Sequence, residues 1–324
     1  MSDNGAAPDV VVLREGTHGL SAGEYAQKVR ERLPDTDVRL ARTRAEEIEL
    51  IEHAPIATGV RIDEELLDHA TELELFACAF AGYGHLPMEA LDERDITVTN
   101  AAGIHAPSIA EQALGGMLMF ARRLDEGLRR TQNAEWRHYQ AYELTGSTVT
   151  IVGLGAIGKA VVQRLQGFDV ETIGVRYTPE KGGPTDEVIG FEEEPFHDAL
   201  ARTDYLVIAC PLSETTRGLI GREELITLPP EAVLVNVARG PIVDTDDLVW
   251  ALRKQYVRGA ALDVTDPEPL PAEHPLWDLG NVLITPHNAG HTPKHWDRLA
   301  DILAENVERI EETGEYGGLR NQVL

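Results

Sequence analysis

Residues 147–162 read Ser-Thr-Val-Thr-Ile-Val-Gly-Leu-Gly-Ala-Ile-Gly-Lys-Ala-Val-Val. The apolar run before Gly153 predicts a buried strand, and the apolar spacing that follows Gly158 predicts a helix. In this setting Gly153 permits a tight turn, Gly155 lets a pyrophosphate approach the backbone, and Gly158 lets helix and strand pack closely. The stretch therefore predicts a dinucleotide site at a helix N-terminus, the alternative being a plain strand-to-helix turn. The residues assigned to this site are Gly153, Gly155, Ala156, Ile157 and Gly158.

The next predicted strand ends in a basic residue. An acid at the end of this strand, about twenty residues after the glycines, would bind the ribose 2′-hydroxyl of NAD. Here the strand 172–175 is followed by Arg176, Tyr177 and Thr178 instead. A guanidinium can neutralise a 2′-phosphate and stack on adenine, so NADP is the predicted coenzyme, with NADH as a second possibility. The alternative is that Arg176 is an ordinary surface arginine.

Strands and helices alternate on both sides of this stretch, which is the pattern of parallel α/β sheets. We therefore predict an α/β protein with two doubly wound parallel-sheet domains, of which the one with the glycine motif is Rossmann-like. The predicted strands are 10–13, 55–60, 73–80, 96–100, 148–152, 172–175, 205–209, 233–236, 259–263 and 282–285.

Several other segments have a predicted form. Residues 105–130 carry apolar side chains at helical spacing around most of the girth, so we expect one long helix buried between domains or subunits. Gly115 and Gly116 would allow close backbone approach. Residues 296–313 predict an amphipathic helix that ends near Gly314 and returns to the first domain. The acidic residues 192–194 are interpreted as a solvated loop.

The charge balance limits the possible partners. The chain of 324 residues has 29 basic and 55 acidic residues and a formal net charge of −26. This charge repels nucleic acid and anionic membranes, so neither is an expected partner. Only five of the basic residues are lysines. At molar salt the Debye length shrinks to about 3 Å and crowded carboxylates stop repelling one another. We therefore predict a salt-adapted protein, as in halophilic archaea, the alternative being an ordinary acidic protein.

The cysteines and the start of the chain bear on location. Cys78 and Cys210 lie in apolar strand-like runs, so no disulfide framework is predicted. Residues 1–9 are polar, with two acids, and lack the basic and apolar regions of a signal peptide. Apolar runs stay well short of the ~20 residues that a membrane span needs. We therefore predict a cytoplasmic protein.

Three residues with complementary chemistry, Arg239, Glu268 and His287, each follow a predicted strand. Loops at the carboxyl ends of parallel strands form the crevice where ligands bind, so these side chains can converge beside a nicotinamide. Imidazole exchanges a proton with a carbonyl oxygen, a carboxylate fixes its tautomer, and a guanidinium clamps a carboxylate in bidentate fashion. Each residue alone is equally consistent with an ordinary loop.

A metal site is the alternative for one of these residues. His287, His291 and His295 recur at every fourth position, which on a single helix would suggest metal ligands. Gly290 and Pro293 interrupt any such helix, so no metal is predicted.

Five segments together resemble the D-isomer-specific 2-hydroxyacid dehydrogenase family, and the likeness extends over most of the chain. The resemblance implies that His287 is the acid–base residue, Glu268 its partner and Arg239 the anchor of a small 2-keto acid. It also implies that the backbone amides of Ala81 and Gly82 bind the substrate carboxylate. The segments are residues 153–158, 211–220 (PLSETTRGLI), 236–243 (NVARGPIV), 261–270 (ALDVTDPEPL) and 285–290 (TPHNAG). The further implied coenzyme contacts are Cys210, Pro211, Thr215, Val237, Asp263 and His287.

The family also implies an architecture. Residues 1–100 with 291–324 would form the flavodoxin-like substrate-binding domain, and residues 101–290 the Rossmann cofactor domain, with an active-site cleft between them. A homodimer would form through the cofactor domain.

The expected activity is NAD(P)H-dependent reduction of a small 2-keto acid to a D-2-hydroxy acid. One alternative is a formate or phosphite dehydrogenase on the same scaffold, although Glu268 stands where formate enzymes usually have glutamine. The other is a nucleotide-binding corepressor, an interaction protein that resembles this fold; the motifs alone do not separate docking from catalysis.

Overall fold

The computed structural model describes residues 7–17 and 19–324. The chain divides into two compact units, Met1–Ile104 with His291–Leu324 and His105–Gly290. Residues 1–6 lie outside the described residues. They are most of the segment that is predicted to lack the features of a signal peptide. Within the described part, no helix is both long and apolar enough to cross a bilayer.

The first unit is a five-stranded sheet in which every neighbouring pair of strands is parallel. The strand order β2-β1-β3-β4-β5 is the flavodoxin-like order, as predicted. Numbered along the whole chain, its strands are β1 (Val10–Val12), β2 (Val38–Leu40), β3 (Ile56–Gly59), β4 (Leu75–Cys78) and β5 (Thr97–Thr99). Its helices are α1 (Ala22–Arg32), α2 (Arg44–Ile51), α3 (Glu64–Leu67), α4 (Met88–Asp92) and α11 (His295–Thr313).

The last helix completes the core of this unit. Helix α11 ends at Gly314, whose φ of 70° is a left-handed conformation that suits glycine. Trp296 near its start is buried and stacks on Tyr25 of α1, with ring centroids 4.7 Å apart. The predicted return of this helix to the first unit is confirmed. Beyond it, Val323 donates its backbone N–H to Val98 of β5, so the chain end adds to the sheet edge.

The second unit is a seven-stranded parallel sheet in the order β12-β11-β10-β9-β6-β7-β8. Read from β8, this is the Rossmann order 3-2-1-4-5-6 with a seventh strand added. The fold class predicted from the sequence is therefore confirmed. The strands are β6 (Thr148–Val152), β7 (Glu171–Val175), β8 (Glu187–Ile189), β9 (Tyr205–Ile208), β10 (Val233–Asn236), β11 (Gly259–Leu262) and β12 (Val282–Ile284). The helices are α5 (Ala106–Arg122), α6 (Leu124–Gln132), α7 (Ala156–Leu165), α8 (Glu193–Leu200), α9 (Arg222–Thr227) and α10 (Thr245–Lys254).

The structure corrects two predictions. The stretch expected to form one long helix is two helices, α5 and α6, because Arg123 adopts a left-handed conformation with φ 51° and ends the first. The acidic residues 192–194, interpreted as a loop, form the N-cap and first turn of α8. Carboxylates are favourable there because they face the positive end of the helix dipole.

Helix α5 lies very close to the second sheet. A Cβ placed on Gly116 would come within 2.9 Å of the Cβ of Ala261 on β11. The predicted close backbone approach is thus present at Gly116, whereas the same construction at Gly115 meets open space. One face of α5 is buried within its own unit, and Leu114 and Leu118 on the remaining surface are half-buried.

Candidate active site

The glycine turn after β6 is packed as tightly as the motif requires. Gly153 has a φ of 101°, and a Cβ there would lie 2.6 Å from the Cα of Cys210. A Cβ on Gly158 would lie 1.9 Å from the carbonyl oxygen of Gly153. Larger residues at these two positions would push the start of α7 away from the sheet.

Gly155 differs from its two neighbours, because a Cβ there would meet nothing within 4 Å. It is the N-cap of α7, and no side chain caps this helix. The first turn of a helix carries amides without helical partners and a partial positive charge, which together favour a phosphate. The open space beside an uncapped helix start fits the pyrophosphate of a dinucleotide.

A groove of about 680 Å³ continues from this helix start past the end of β7. Arg176, directly after β7, lines it and donates a hydrogen bond to the carbonyl of Gly182. Lys159 and Lys181 also line the groove, and no acidic residue is among its described lining residues. The groove therefore combines three cations with an open helix start, which fits a coenzyme bearing an extra phosphate.

Sequence reasoning did not assign the two lysines. Lys159 belongs to a stripe on α7 with Ala156, Ala160 and Gln163, and this helical spacing beside the glycine turn was a usable signal. Lys181 is the last residue of a short 3₁₀ turn, Pro179–Lys181, and the position of this turn beside α7 is not visible from spacing. The assigned neighbour Tyr177 is largely exposed, and Thr178 precedes the turn.

His287 and Glu268 are brought together. The Nδ1 atom of His287 lies 2.9 Å from Oε2 of Glu268, and the two side chains remain 51% and 39% exposed. Because an ionised carboxylate only accepts hydrogen bonds, Nδ1 carries the hydrogen and Nε2 is the atom presented for proton exchange. The other oxygen of Glu268 accepts the backbone N–H of Thr265 at 3.1 Å, which orients the carboxylate.

The loop that carries His287 wraps around Asp263. The buried carboxylate of Asp263 accepts the backbone amides of Asn288 and Ala289, each at 2.9 Å, and the hydroxyl of Thr285. Its carbonyl accepts the amide of His287 at 2.8 Å. These bonds hold His287 at a φ of 51°, a conformation that costs a non-glycine residue about 1 kcal/mol. In this structure the Asp263 carboxylate thus supports the loop; its contact with a coenzyme stays a prediction.

Arg239 lies on the adjacent loop after β10. Buried Asn236 shapes this loop by donating to the carbonyl of Arg239 and accepting from the amide of Ala238. A Cβ on Gly240 would lie 1.9 Å from the carbonyl oxygen of Thr265, so the Arg239 loop and the Glu268 loop are in backbone contact. Arg239 is exposed and has no carboxylate partner among the described residues. Its guanidinium is therefore available to an anionic ligand.

The remaining coenzyme residues assigned from the family follow β9 and β10. Cys210 is buried behind Gly153, and burial raises the pKa of its thiol to about 11, so the thiol is neutral. Val237 is buried, and Pro211 is exposed. Thr215 is exposed, and its neighbour Thr216 stabilises the loop by donating to the carbonyl of Pro211.

Two assigned substrate residues, Ala81 and Gly82, belong to the loop after β4 of the first unit. The backbone carbonyl of Ala81 accepts a hydrogen bond from the side-chain amide of buried Asn100 at 2.7 Å. A Cβ on Gly82 would meet nothing within 4 Å, so its backbone is accessible.

The histidines spaced every fourth residue do not share a helix, because α11 begins at His295 while His287 and His291 lie in the preceding loop. Across the described residues, no group of three or more His, Cys, Asp or Glu side chains is arranged to hold a metal ion.

Comparison with known proteins identifies the class. Residues 114–289 match the model of the NAD binding domain of D-isomer specific 2-hydroxyacid dehydrogenases. D-3-phosphoglycerate dehydrogenase of Methanocaldococcus jannaschii is 32% identical over 293 residues, which cover 89% of this chain and 55% of that protein. Glyoxylate reductase of Pyrococcus furiosus is 33% identical over 256 residues, which cover 76% of this chain and 75% of that protein. The chain thus spans about half the length of the first relative.

A solved structure agrees in fold. The crystal structure of a D-isomer specific 2-hydroxyacid dehydrogenase from Xanthobacter autotrophicus Py2, in complex with NADPH and MES, has a TM-score of 0.75 and 28% identity over 98% of both chains. The chain belongs to the D-isomer specific 2-hydroxyacid dehydrogenase family.

Proposed function

We propose that this protein reduces a small 2-keto acid to a D-2-hydroxy acid with NADPH as the preferred coenzyme. The observation that carries the proposal is the hydrogen bond between His287 Nδ1 and Glu268. It fixes a histidine with its second ring nitrogen directed away from the carboxylate, and the loop of that carboxylate contacts the loop of Arg239, which has no acidic partner among the described residues.

Each residue has a role in this reaction. When bound, the coenzyme supplies the hydride that reduces the carbonyl carbon. His287 donates a proton from Nε2 to the carbonyl oxygen, and Glu268 stabilises the charged imidazole before transfer. Arg239 binds the substrate carboxylate in bidentate fashion, with the amides of Ala81 and Gly82 as further contacts. Because reduction consumes a proton, its rate should fall at alkaline pH, and the reverse reaction should prefer alkali.

The preference for NADPH is supported by the groove lined by Arg176, Lys159 and Lys181. A 2′-phosphate carries charge that NAD lacks, and three nearby cations favour it electrostatically. Binding of NADPH by the related Xanthobacter enzyme agrees with this assignment. The glycine turn and Tyr177, Thr178, Cys210, Pro211, Thr215, Val237 and Asp263 are the further proposed coenzyme contacts.

A small keto acid is favoured because the Pyrococcus relative is named a glyoxylate reductase. The experiment is a steady-state panel of glyoxylate, hydroxypyruvate, pyruvate and branched keto acids, each with NADPH and NADH. We expect turnover with at least one small keto acid and a lower KM for NADPH. Oxidation of formate or phosphite by NADP+ or NAD+, with no keto acid reduced in the panel, would indicate that reaction instead. Absence of turnover on the whole panel would contradict the proposal and leave the corepressor-like alternative.

We also propose a homodimer that forms through the second unit. Helix α6 and the segment just after it carry three large apolar residues that are exposed, Leu124, Leu128 and Trp136. Such a patch is typical of a protein interface. Sedimentation should give twice the mass of 35.6 kDa; a monomeric mass would contradict the assignment.

Salt adaptation, cytoplasmic location and the exclusion of nucleic-acid and membrane partners remain proposals from composition. The net charge of −26 supports the first, because carboxylate repulsion is screened only at high ionic strength. We expect the unfolding temperature to rise steeply from dilute buffer to molar KCl. An unfolding temperature that does not change with salt would show the adaptation to be absent.

A further inference from the structure

Gln112, a polar side chain of the long helix α5, contacts the loop of His287. We propose that Gln112 is a positioning residue for the reaction of His287, acting through Thr285 and Asp263. The expected effect on kcat rests on the proposed function, whereas the hydrogen bonds of Gln112 and Thr285 do not depend on the substrate.

The contact forms a relay of hydrogen bonds with a defined direction. Gln112 Nε2 donates to the hydroxyl oxygen of Thr285 at 3.1 Å, and that hydroxyl donates to Oδ1 of Asp263 at 2.5 Å. A hydroxyl has one hydrogen to give. Because the amide of Gln112 donates to the oxygen, the hydroxyl hydrogen is directed to Asp263.

Asp263 passes this constraint to the loop. The same oxygen that receives the Thr285 hydroxyl also accepts the amide of Asn288, and the other oxygen accepts the amide of Ala289. These two residues directly follow His287, whose left-handed backbone must be held by its surroundings. The relay therefore extends from α5 to the backbone of the two residues that follow His287.

The surroundings make the relay strong. Gln112, Thr285 and Asp263 border a cavity of about 10 Å³, and its other lining residues are apolar, among them Val235 and Leu283. Asp263 is the one titratable side chain among these described lining residues. In such low polarity a hydrogen bond is stronger, and an unmatched polar group is costlier, than in water. Packing of Gly116 against Ala261 fixes the distance between α5 and the sheet.

Two substitutions separate the polarity of the relay from its packing. Gln112→Glu keeps the size but replaces the donor by a carboxylate, so Thr285 would face two acceptors with one hydrogen. Repulsion between the new carboxylate and Asp263 should loosen the loop at neutral pH. Acidification should restore part of the relay, because a protonated Glu can donate. Gln112→Leu removes the donor without adding charge. Gln255→Glu, at the exposed residue that follows α10, makes the same chemical change away from the relay and from α6.

The first measurement needs no substrate. Hydrogen exchange of the backbone amides in residues 285–290, followed by mass spectrometry of the full-length protein in molar KCl, reports the loop directly. We expect exchange about fivefold faster in Gln112→Glu, a smaller increase in Gln112→Leu and wild-type exchange in Gln255→Glu. Should Gln112→Glu fail to fold, Gln112→Leu decides alone.

The second measurement is kinetic. For Gln112→Glu we expect kcat about tenfold below wild type at neutral pH, partial recovery at lower pH, and a KM for NADPH within about twofold of wild type. Gln112→Leu should lose less and show no recovery with acid.

Unchanged exchange of the loop in both Gln112 variants would overturn the proposal. So would uniformly faster exchange across the second unit with kcat retained, because that pattern indicates packing alone. A wild-type protein that turns over no keto acid would defeat the proposed function, while the exchange result would still decide whether the relay exists.

Discussion

Both sheets place arginines in the loops at the carboxyl ends of their strands, but the two sets are bonded differently. In the first unit Arg14 pairs with Glu47 at 3.0 Å and Arg61 pairs with Glu15 at 2.7 Å. In the second unit Arg239, like Arg176, donates to a backbone carbonyl, and neither has an acidic partner among the described residues.

This difference separates two uses of the same side chain. A guanidinium that is paired with a carboxylate has its charge neutralised and its donors occupied, so it contributes to stability. A guanidinium without such a partner presents charge and donors to an anion. The comparison predicts that substitutions of the unpaired arginines in the second unit change kinetics. Substitutions in the arginine–carboxylate pairs of the first unit should change the free energy of unfolding instead.

The largest effect is expected at His287. His287→Ala removes the proton donor, and kcat for keto acid reduction should fall about 10³-fold, since positioned acid–base groups contribute on this order. NADPH binding, followed by fluorescence, should change little. Glu268→Gln, which keeps an acceptor for Nδ1 but loses the charge, should cost less. Near-normal turnover by the His287→Ala enzyme would contradict the assignment of His287 as the proton donor.

Arg239→Ala should lower kcat/KM for the keto acid about 100-fold, mainly through KM, because it removes a bidentate ion pair with the substrate. Arg239→Lys keeps the charge without the planar fork and should recover part of the loss. Steady-state kinetics distinguish the two. Arg253→Ala, an exposed arginine in the last turn of α10, is the matched control. Equal effects at Arg239 and Arg253 would contradict a specific role.

Arg176→Ser should raise the KM for NADPH about tenfold and leave the KM for NADH nearly unchanged, because only NADPH carries the 2′-phosphate. The matched variant in the first unit is Arg44→Ser, whose guanidinium pairs with Asp63 and Glu65. It should leave both coenzyme constants unchanged. A similar increase for NADH and NADPH would argue against phosphate recognition at Arg176.

The smallest effect is expected at Glu47. Its side chain is 5% exposed and accepts both the backbone amide and Nε of Arg14, each at 3.0 Å. Glu47→Gln keeps one acceptor but loses the charge, so the free energy of unfolding should fall by about 1 kcal/mol with kcat unchanged. Denaturant unfolding in molar KCl measures this, with the exposed α2 residue Glu49→Gln as control. A marked fall in kcat with little fall in the free energy of unfolding would contradict the contrast between the two units.

Most central strands were predictable because their buried apolar runs are visible in the sequence. The missed strands β2 and β8 lie at sheet edges and are three residues each. All their side chains except that of Val38 are half-buried, so they lack that signal. The break at Arg123 carries no glycine or proline to mark it, since a non-glycine residue takes the left-handed conformation there.

The site shows the same division between local and distant information. The glycine turn is a continuous stretch, and its geometry follows from the motif. The pairing of His287 with Glu268 followed from strand ends and from the family. The contribution of Gln112 could not be predicted, because it lies 173 residues from Thr285 in the chain. The hydrogen bond by which Thr216 stabilises the loop after β9 could not be predicted either, because spacing does not show which hydroxyl turns inward.

The discontinuity of the first unit has a consequence during synthesis. Trp296, Leu299 and Leu303 of α11 belong to the same core cluster as Tyr25 and Val29 of α1, so that core cannot close until α11 has left the ribosome. The second unit is one continuous stretch and completes its own core earlier. During translation the second unit can therefore fold first, while apolar surface on the amino-terminal part of the first unit stays uncovered until α11 is made.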